Sequence, residues 1–244
     1  MPSSEPVTKA VPVPPNSDAA LEVVNLTKIY GVGEETEMRA LDSVSFRVEH
    51  GDFAAIIGPS GSGKSTLLNL IGALDRPTSG KVLLDGVDIS KLSSSELAGI
   101  RNRKLGFIFQ SFNLIGRMTA AQNVEVPLMV MNVPPKERRR LAVSLLSQFG
   151  LASKVDKKPT QLSGGEQQRV AVARSLATDP TLILGDEPTG NLDTKNTLET
   201  MRILEALNLR GKTLVVITHN MEVAQRAHRI ISLRDGKLEG ITVN

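Results

Sequence analysis

The chain has 244 residues, 40% of them hydrophobic and 23% charged, with a formal net charge of +3, which suits one α/β domain around a substantial core. No cysteine is present, so a disulfide scaffold, a thiolate zinc site and a cysteine nucleophile are excluded. Six Phe, one Tyr and so small a charge excess give no nucleic-acid footprint, and the longest apolar run, five residues from Phe53 to Ile57, falls far short of the about 20 that span a membrane.

Residues 1–20 hold five prolines (Pro2, Pro6, Pro12, Pro14, Pro15) and lack the basic start and apolar stretch of a signal peptide. They read as a flexible extension, with the folded domain expected over 21–244. Leu21–Ile29 and Leu41–Glu49 alternate in polarity, as strands with one solvated face do. Phe53–Ile57, Thr181–Leu184 and Thr213–Ile217 are nearly continuous in apolar character, which suits parallel strands covered on both faces. Turn residues and helical pattern follow such runs, the signature of βαβ units. Between about 90 and 165 the pattern turns helical and includes the basic run Lys136–Arg140, a solvated helix face; this stretch is expected to be an inserted helical subdomain.

Directly after the first buried run comes Gly58-Pro59-Ser60-Gly61-Ser62-Gly63-Lys64-Ser65, followed by a helical pattern from Thr66 to Ile71. This is the full phosphate-binding loop pattern in its required strand-to-helix context. Glycines let backbone N–H groups converge on phosphate oxygens, the helix start adds partial positive charge, and Lys64 reaches the β and γ phosphates. Ser65 offers its hydroxyl to Mg²⁺. The second buried run leads into Asp186-Glu187, placing acids in the crevice where open α/β sheets bind ligands. Asp186 is expected to hold Mg²⁺, mostly through water, and Glu187 to act as general base. The third run ends at Thr218-His219, so His219 is a candidate for the γ-phosphate or the attacking water.

Ser163-Gly164-Gly165-Glu166 opens a further helix with a capping-box arrangement, and Asp179-Pro180 stops it. Val170, Ala173, Leu176 and Ala177 form its apolar stripe. Its exposed N–H groups and hydroxyl suit either a second anion site or a plain helix cap; the residues alone leave both open.

Taken together, these motifs resemble the ATP-binding cassette (ABC) ATPases over about residues 21–240, with Leu162-Ser163-Gly164-Gly165-Glu166 as the specific element. The resemblance implies a P-loop cassette: a mostly parallel core sheet, an antiparallel β subdomain and an inserted α-helical subdomain. Gly106–Leu114, Ile71–Gly80 and Asp186–Asp193 are most similar to the lipoprotein-release and macrolide-export group, and division-type complexes share much of the pattern. The family implies ATP hydrolysis with Mg²⁺ in a head-to-tail homodimer, coupled to a separate integral membrane permease on the inner, cytoplasmic face of the cell membrane.

Carried over by position, Gly58 to Thr66 bind the phosphates and Mg²⁺, while Ser163, Gly164 and Gly165 meet the γ-phosphate held by the other protomer. Gln110 contacts Mg²⁺ and reports nucleotide state to the membrane partner. Asp193 crosses the dimer interface, and Tyr30 stacks on adenine. Phe107, Phe109, Phe112, Leu114, Ile115 and Met118 cluster around Gln110, where the family places the groove for a membrane-domain helix. Three departures from the pattern are Gly185, where Ala is usual, the short tail after Arg234, and the insertion Gly31–Met38 beside Tyr30. A soluble switch on DNA or ribosomes generally carries long coiled-coil insertions or two cassettes, and this chain has neither.

Overall fold

The structure, a computed structural model, describes residues 19–244, so the expected extension lies outside the described residues except for Ala19 and Ala20, which already belong to the first strand. Two sheets form the frame. The smaller joins β1 (Ala19–Tyr30), β2 (Met38–Glu49), β4 (Ser79–Leu84) and β5 (Val87–Asp88) in the order β2-β1-β4-β5, with every pair antiparallel. Burial alternates along β2, as expected. β1 departs from the one-sided alternation expected: it is buried on both faces over its first half.

The larger sheet contains β3 (Phe53–Ile57), β6 (Leu105–Phe109), β7 (Leu182–Asp186), β8 (Thr213–Ile217), β9 (Arg229–Arg234) and β10 (Lys237–Val243) in the order β10-β9-β3-β8-β7-β6. All neighbours are parallel except β9 and β10. Successive side chains of a strand face opposite ways, and the two faces of β3 show it. Ala54 and Ile56 enter the core shared with the small sheet and α1 (Lys64–Ile71); Phe53 and Ala55 enter the core under α6 (Thr194–Leu209). Coverage on both faces is why these strands are uninterrupted apolar runs.

Residues 90–165 are not wholly helical. After α2 (Ser94–Lys104), the run Leu105-Gly-Phe-Ile-Phe109 forms β6, the edge strand of the parallel sheet. β-branched and aromatic side chains suited to a sheet surface were the available signal. The helical insertion proper follows it, as α3 (Ala120–Val130) and α4 (Pro135–Gln148). Ala121, Val124, Ala142 and Leu146 pack there against Val170 and Ala173 of α5 (Gly164–Ser175). α5 thus sits between two cores, since Val172 faces the core under α6; Leu176 and Ala177 lie past its end and are only partly buried. A short α7 (Met221–Ala224) follows β8.

Candidate nucleotide site

Parallel strands present their carboxyl ends along one edge, and four neighbouring strands here end in four groups singled out from the sequence. The loop 58–63 leaves β3, His219 leaves β8, Asp186-Glu187 ends β7 and Gln110 leaves β6. The ladder keeps them level: Phe109 pairs with Asp186, Asp186 with Ile217, and Ile217 with Ile56. At roughly 4.8 Å per strand the four groups span roughly 14 Å along this edge.

The loop is shaped around close backbone approach. Gly58 has φ +155°, and a Cβ there would lie 2.2 Å from the Leu233 carbonyl oxygen; Gly63 has φ +96°, and its Cβ would lie 2.5 Å from the Ala40 carbonyl oxygen. Only glycine fits either position. Lys64 Nζ donates to the carbonyls of Gly58 and Pro59, each at 2.8 Å, and so stands across the loop. Ser65 is exposed and Thr66 half-buried at the start of α1, Ser60 and Gly61 are exposed, and Ser62 is buried. Whereas α2, α3, α5, α6 and α7 each have a side-chain N-cap, α1 has none and no acid in its first turn. Its first N–H groups and positive end are thus open to an anion, beside a lysine. These features fit the phosphates of a nucleotide.

Asp186 is half-buried, and among the described residues no side chain donates to its carboxylate. Burial, and then the charge of Glu187, push its pKa above the ordinary carboxylate value. An unmatched carboxylate on the same sheet edge as the exposed Ser65 hydroxyl and the exposed Gln110 side chain is a donor set that suits a hard divalent cation. Glu187 is held firmly. Its Oε1 accepts from the His219 backbone N–H at 2.9 Å and lies 2.6 Å from His219 Nδ1, while Oε2 accepts from Thr218 Oγ1 at 3.2 Å. Its φ of +45° is a left-handed conformation, costly for a non-glycine residue and concentrated at functional sites. Gly185 has a local reason: a Cβ there would sit 3.1 Å from Val216 Cγ2 and 3.3 Å from Pro188 Cγ.

Several contacts were not apparent from sequence. Asn191 and Gln110 bond reciprocally, Gln110 Nε2 to Asn191 Oδ1 and Asn191 Nδ2 to the Gln110 carbonyl, both at 3.1 Å. Gln168, fully buried on α5, donates to the Pro188 carbonyl. Asn196 fills the space over Gly165, where a Cβ would lie 2.0 Å from its Oδ1. Each links residues far apart in the chain, through amides that carry no motif of their own.

Ser163 caps α5 with the capping box read from the sequence: its Oγ accepts from Glu166 N–H, and Glu166 Oε2 accepts from Ser163 N–H at 2.8 Å. Among the described residues, no hydrogen bond joins 163–165 to 58–66. Asp193 is the N-cap of α6, accepting from the Asn196 backbone N–H and side-chain amide at 2.8 Å each, bonds that hold its pKa low. Tyr30 ends β1; Lys28 Nζ lies 4.8 Å from its ring centroid, and its hydroxyl donates to Asp75 at 3.2 Å. The aromatic and aliphatic cluster around Gln110 is half-buried throughout.

Comparisons with known proteins match this geometry. The ABC transporter family matches residues 41–190. An uncharacterized ABC transporter ATP-binding protein of Thermotoga maritima is 53% identical over 91% of this chain and 94% of its own length. The macrolide export ATP-binding/permease protein MacB of Hyphomonas neptunium is 49% identical over 89% of this chain, which spans only 34% of that protein. The dimeric post-hydrolysis structure of the ATP-binding cassette MJ0796 bound to ADP and Pi superposes with a TM-score of 0.83 at 46% identity, covering 91% of this chain and 98% of the other. The chain belongs to the ABC transporter family and is one of its ATP-binding, ATP-hydrolysing cassettes.

Proposed function

We propose that the chain is the motor subunit of a transporter-type complex, closing as a head-to-tail homodimer on two Mg²⁺-ATP and driving a separate integral membrane permease from the cytoplasmic face of the membrane. One observation carries this reading. The carboxyl edge of β3, β8, β7 and β6 carries the phosphate loop, His219, Asp186-Glu187 and Gln110, and the start of α5 offers further N–H and hydroxyl donors without bonding to the loop of its own chain. The dimeric MJ0796 cassettes support the two-chain arrangement. MacB carries ATP-binding and permease functions in one protein, which supports a permease partner for a chain that matches only its cassette. Among the described residues no helix is long and apolar enough to cross a membrane.

In this reading the loop N–H groups and Lys64 bind the phosphates, and Ser65, Asp186 and Gln110 hold Mg²⁺ directly or through water. The cation, when bound, screens charge on the phosphate oxygens. Glu187 accepts a proton from water as its oxygen bonds to the γ-phosphorus and the bridging oxygen departs with ADP. Thr218, the His219 backbone and the His219 ring aim that carboxylate, and in this reading His219 also meets the γ-phosphate. Lys64 neutralises the charge developing on the phosphoryl oxygens. Ser163, Gly164 and Gly165 of one chain contact the γ-phosphate of the other, Asp193 lies at the junction, Tyr30 stacks on adenine, and the cluster around Gln110 receives a helix of the permease. Glu187→Gln keeps the hydrogen-bonding shape and removes the base. It is expected to lower turnover by at least about 100-fold while the chain still forms dimers in ATP, seen by light scattering. Near-normal turnover would refute the general-base role, and a chain that stays monomeric in ATP would refute the dimer.

A further inference from the structure

The segment after Gln110 contains two consecutive non-glycine residues in the left-handed region, Phe112 at φ +60° and Asn113 at φ +49°. Such a pair is not self-supporting, because each Cβ crowds its own backbone. Arg174, in the last turn of α5, holds it: one guanidinium nitrogen donates to the Phe112 carbonyl at 2.8 Å and another to the Asn113 carbonyl at 2.5 Å. Among the described residues no carboxylate pairs with Arg174, so two carbonyl dipoles are its recorded partners. A planar fork suits that task, since it can grip two adjacent oxygens at once.

The same helix has a second arm. Gln168, six residues toward its start, donates to the carbonyl of Pro188, the residue after Glu187. The helix that opens with Ser163-Gly164-Gly165 therefore touches both the Glu187 segment and the Gln110 segment of its own chain.

We propose that Arg174 is a positioning residue for ATP hydrolysis, locking the left-handed Phe112-Asn113 turn so that α5 sets where Gln110 stands at the sheet edge. The link rests on the dimer reading for its wider consequence: α5 meets the partner's nucleotide at one end and places the chain's own Gln110 and Glu187 from its side, joining the two sites of the dimer. The Arg174 guanidinium is taken up by the two turn carbonyls, so its loss acts through the turn.

The test is steady-state ATPase kinetics, with binding of the fluorescent analogue mant-ATP measured in parallel, on Arg174→Met and on Arg174→Met/Asn113→Gly. Glycine favours the left-handed turn on its own and should hold it without the guanidinium. Arg174→Met is expected to lose about tenfold in kcat with mant-ATP affinity within about twofold of wild type, and Asn113→Gly to restore about threefold. A kcat within about twofold of wild type, a kcat loss matched by lost mant-ATP binding, or no recovery with Asn113→Gly would each overturn the proposal. Should Arg174→Met fail to fold, Arg174→Lys, which keeps the charge but loses the fork, is read by the same criteria. Glu187→Gln separates the two claims. If it dimerises in ATP while Arg174→Met keeps its kcat, the link fails and the dimer stands. If it stays monomeric, the dimer fails, and the kcat and rescue still decide the link within one chain.

Discussion

At the scale of single residues, the carboxyl edge of the sheet places two acids side by side and treats them differently. Glu187 accepts three hydrogen bonds or close contacts from Thr218 and His219. Asp186 has no donor among the described residues, and burial and Glu187 raise its pKa. The folded chain therefore holds the Asp186 proton more tightly than the unfolded chain does. This group favours folding below its unfolded pKa, and that stability is lost as pH rises through the raised folded value. Asp186→Asn is accordingly expected to unfold at a higher temperature than wild type at pH 7, by about 2–4 °C per kcal/mol relieved. The difference should vanish below about pH 4. Calorimetry across pH checks this, and adding Mg²⁺-ATP should stabilise wild type more than the variant. A lower melting temperature at pH 7 would contradict it. The acids, the lysine and the histidine were legible because each follows a buried apolar run or sits inside a dense motif. Asn191, Gln168 and Arg174 were not, because they act on carbonyls of residues 20 to 81 positions away.

At the scale of elements, the start of α5 is shaped by a local cap and by a distant neighbour. Its capping box was readable from Ser163 and Glu166, since a cap is a local pattern. The need for Gly165 was not, because it comes from α6. Asn196, itself fixed by Asp193, occupies the place a Cβ would take. Gly165→Ala is expected to cost about 1–3 kcal/mol, as overpacking does. In Gly165→Ala/Asn196→Ala much of that cost should disappear, because the clashing side chain is gone. Urea denaturation of the four-member cycle measures the coupling, and additive costs would mean that the contact does not restrict Gly165. β6 is the element hidden in the sequence. It is a short edge strand that follows α2 without a break and lies in an otherwise mostly helical stretch, which obscures it. The buried strands β3, β7 and β8 were plain, since burial on both faces leaves uninterrupted apolar runs. β4, β5, β9 and β10 were not picked out; β5 has only two residues, β4 is exposed over its first half and β10 over most of its length, with mixed polarity.

At the scale of the whole molecule, three cores divide the labour: one between the two sheets, one under α6, and one in the helical insertion. The parallel sheet levels the four loops of the candidate site along one edge, and α5 stands between the insertion and that edge. Nothing in a single sequence specifies whether the phosphate loop of one chain meets the α5 start of another in a two-chain site. Complementation tests it most directly. Lys64→Ala inactivates the phosphate loop and Ser163→Arg inactivates the α5 start, so each variant alone should hydrolyse ATP at about background. Mixed chains in a head-to-tail dimer regenerate one site with both halves intact, and ATPase activity should return on mixing. A mixture as inactive as its two components would show that the halves do not come from different chains.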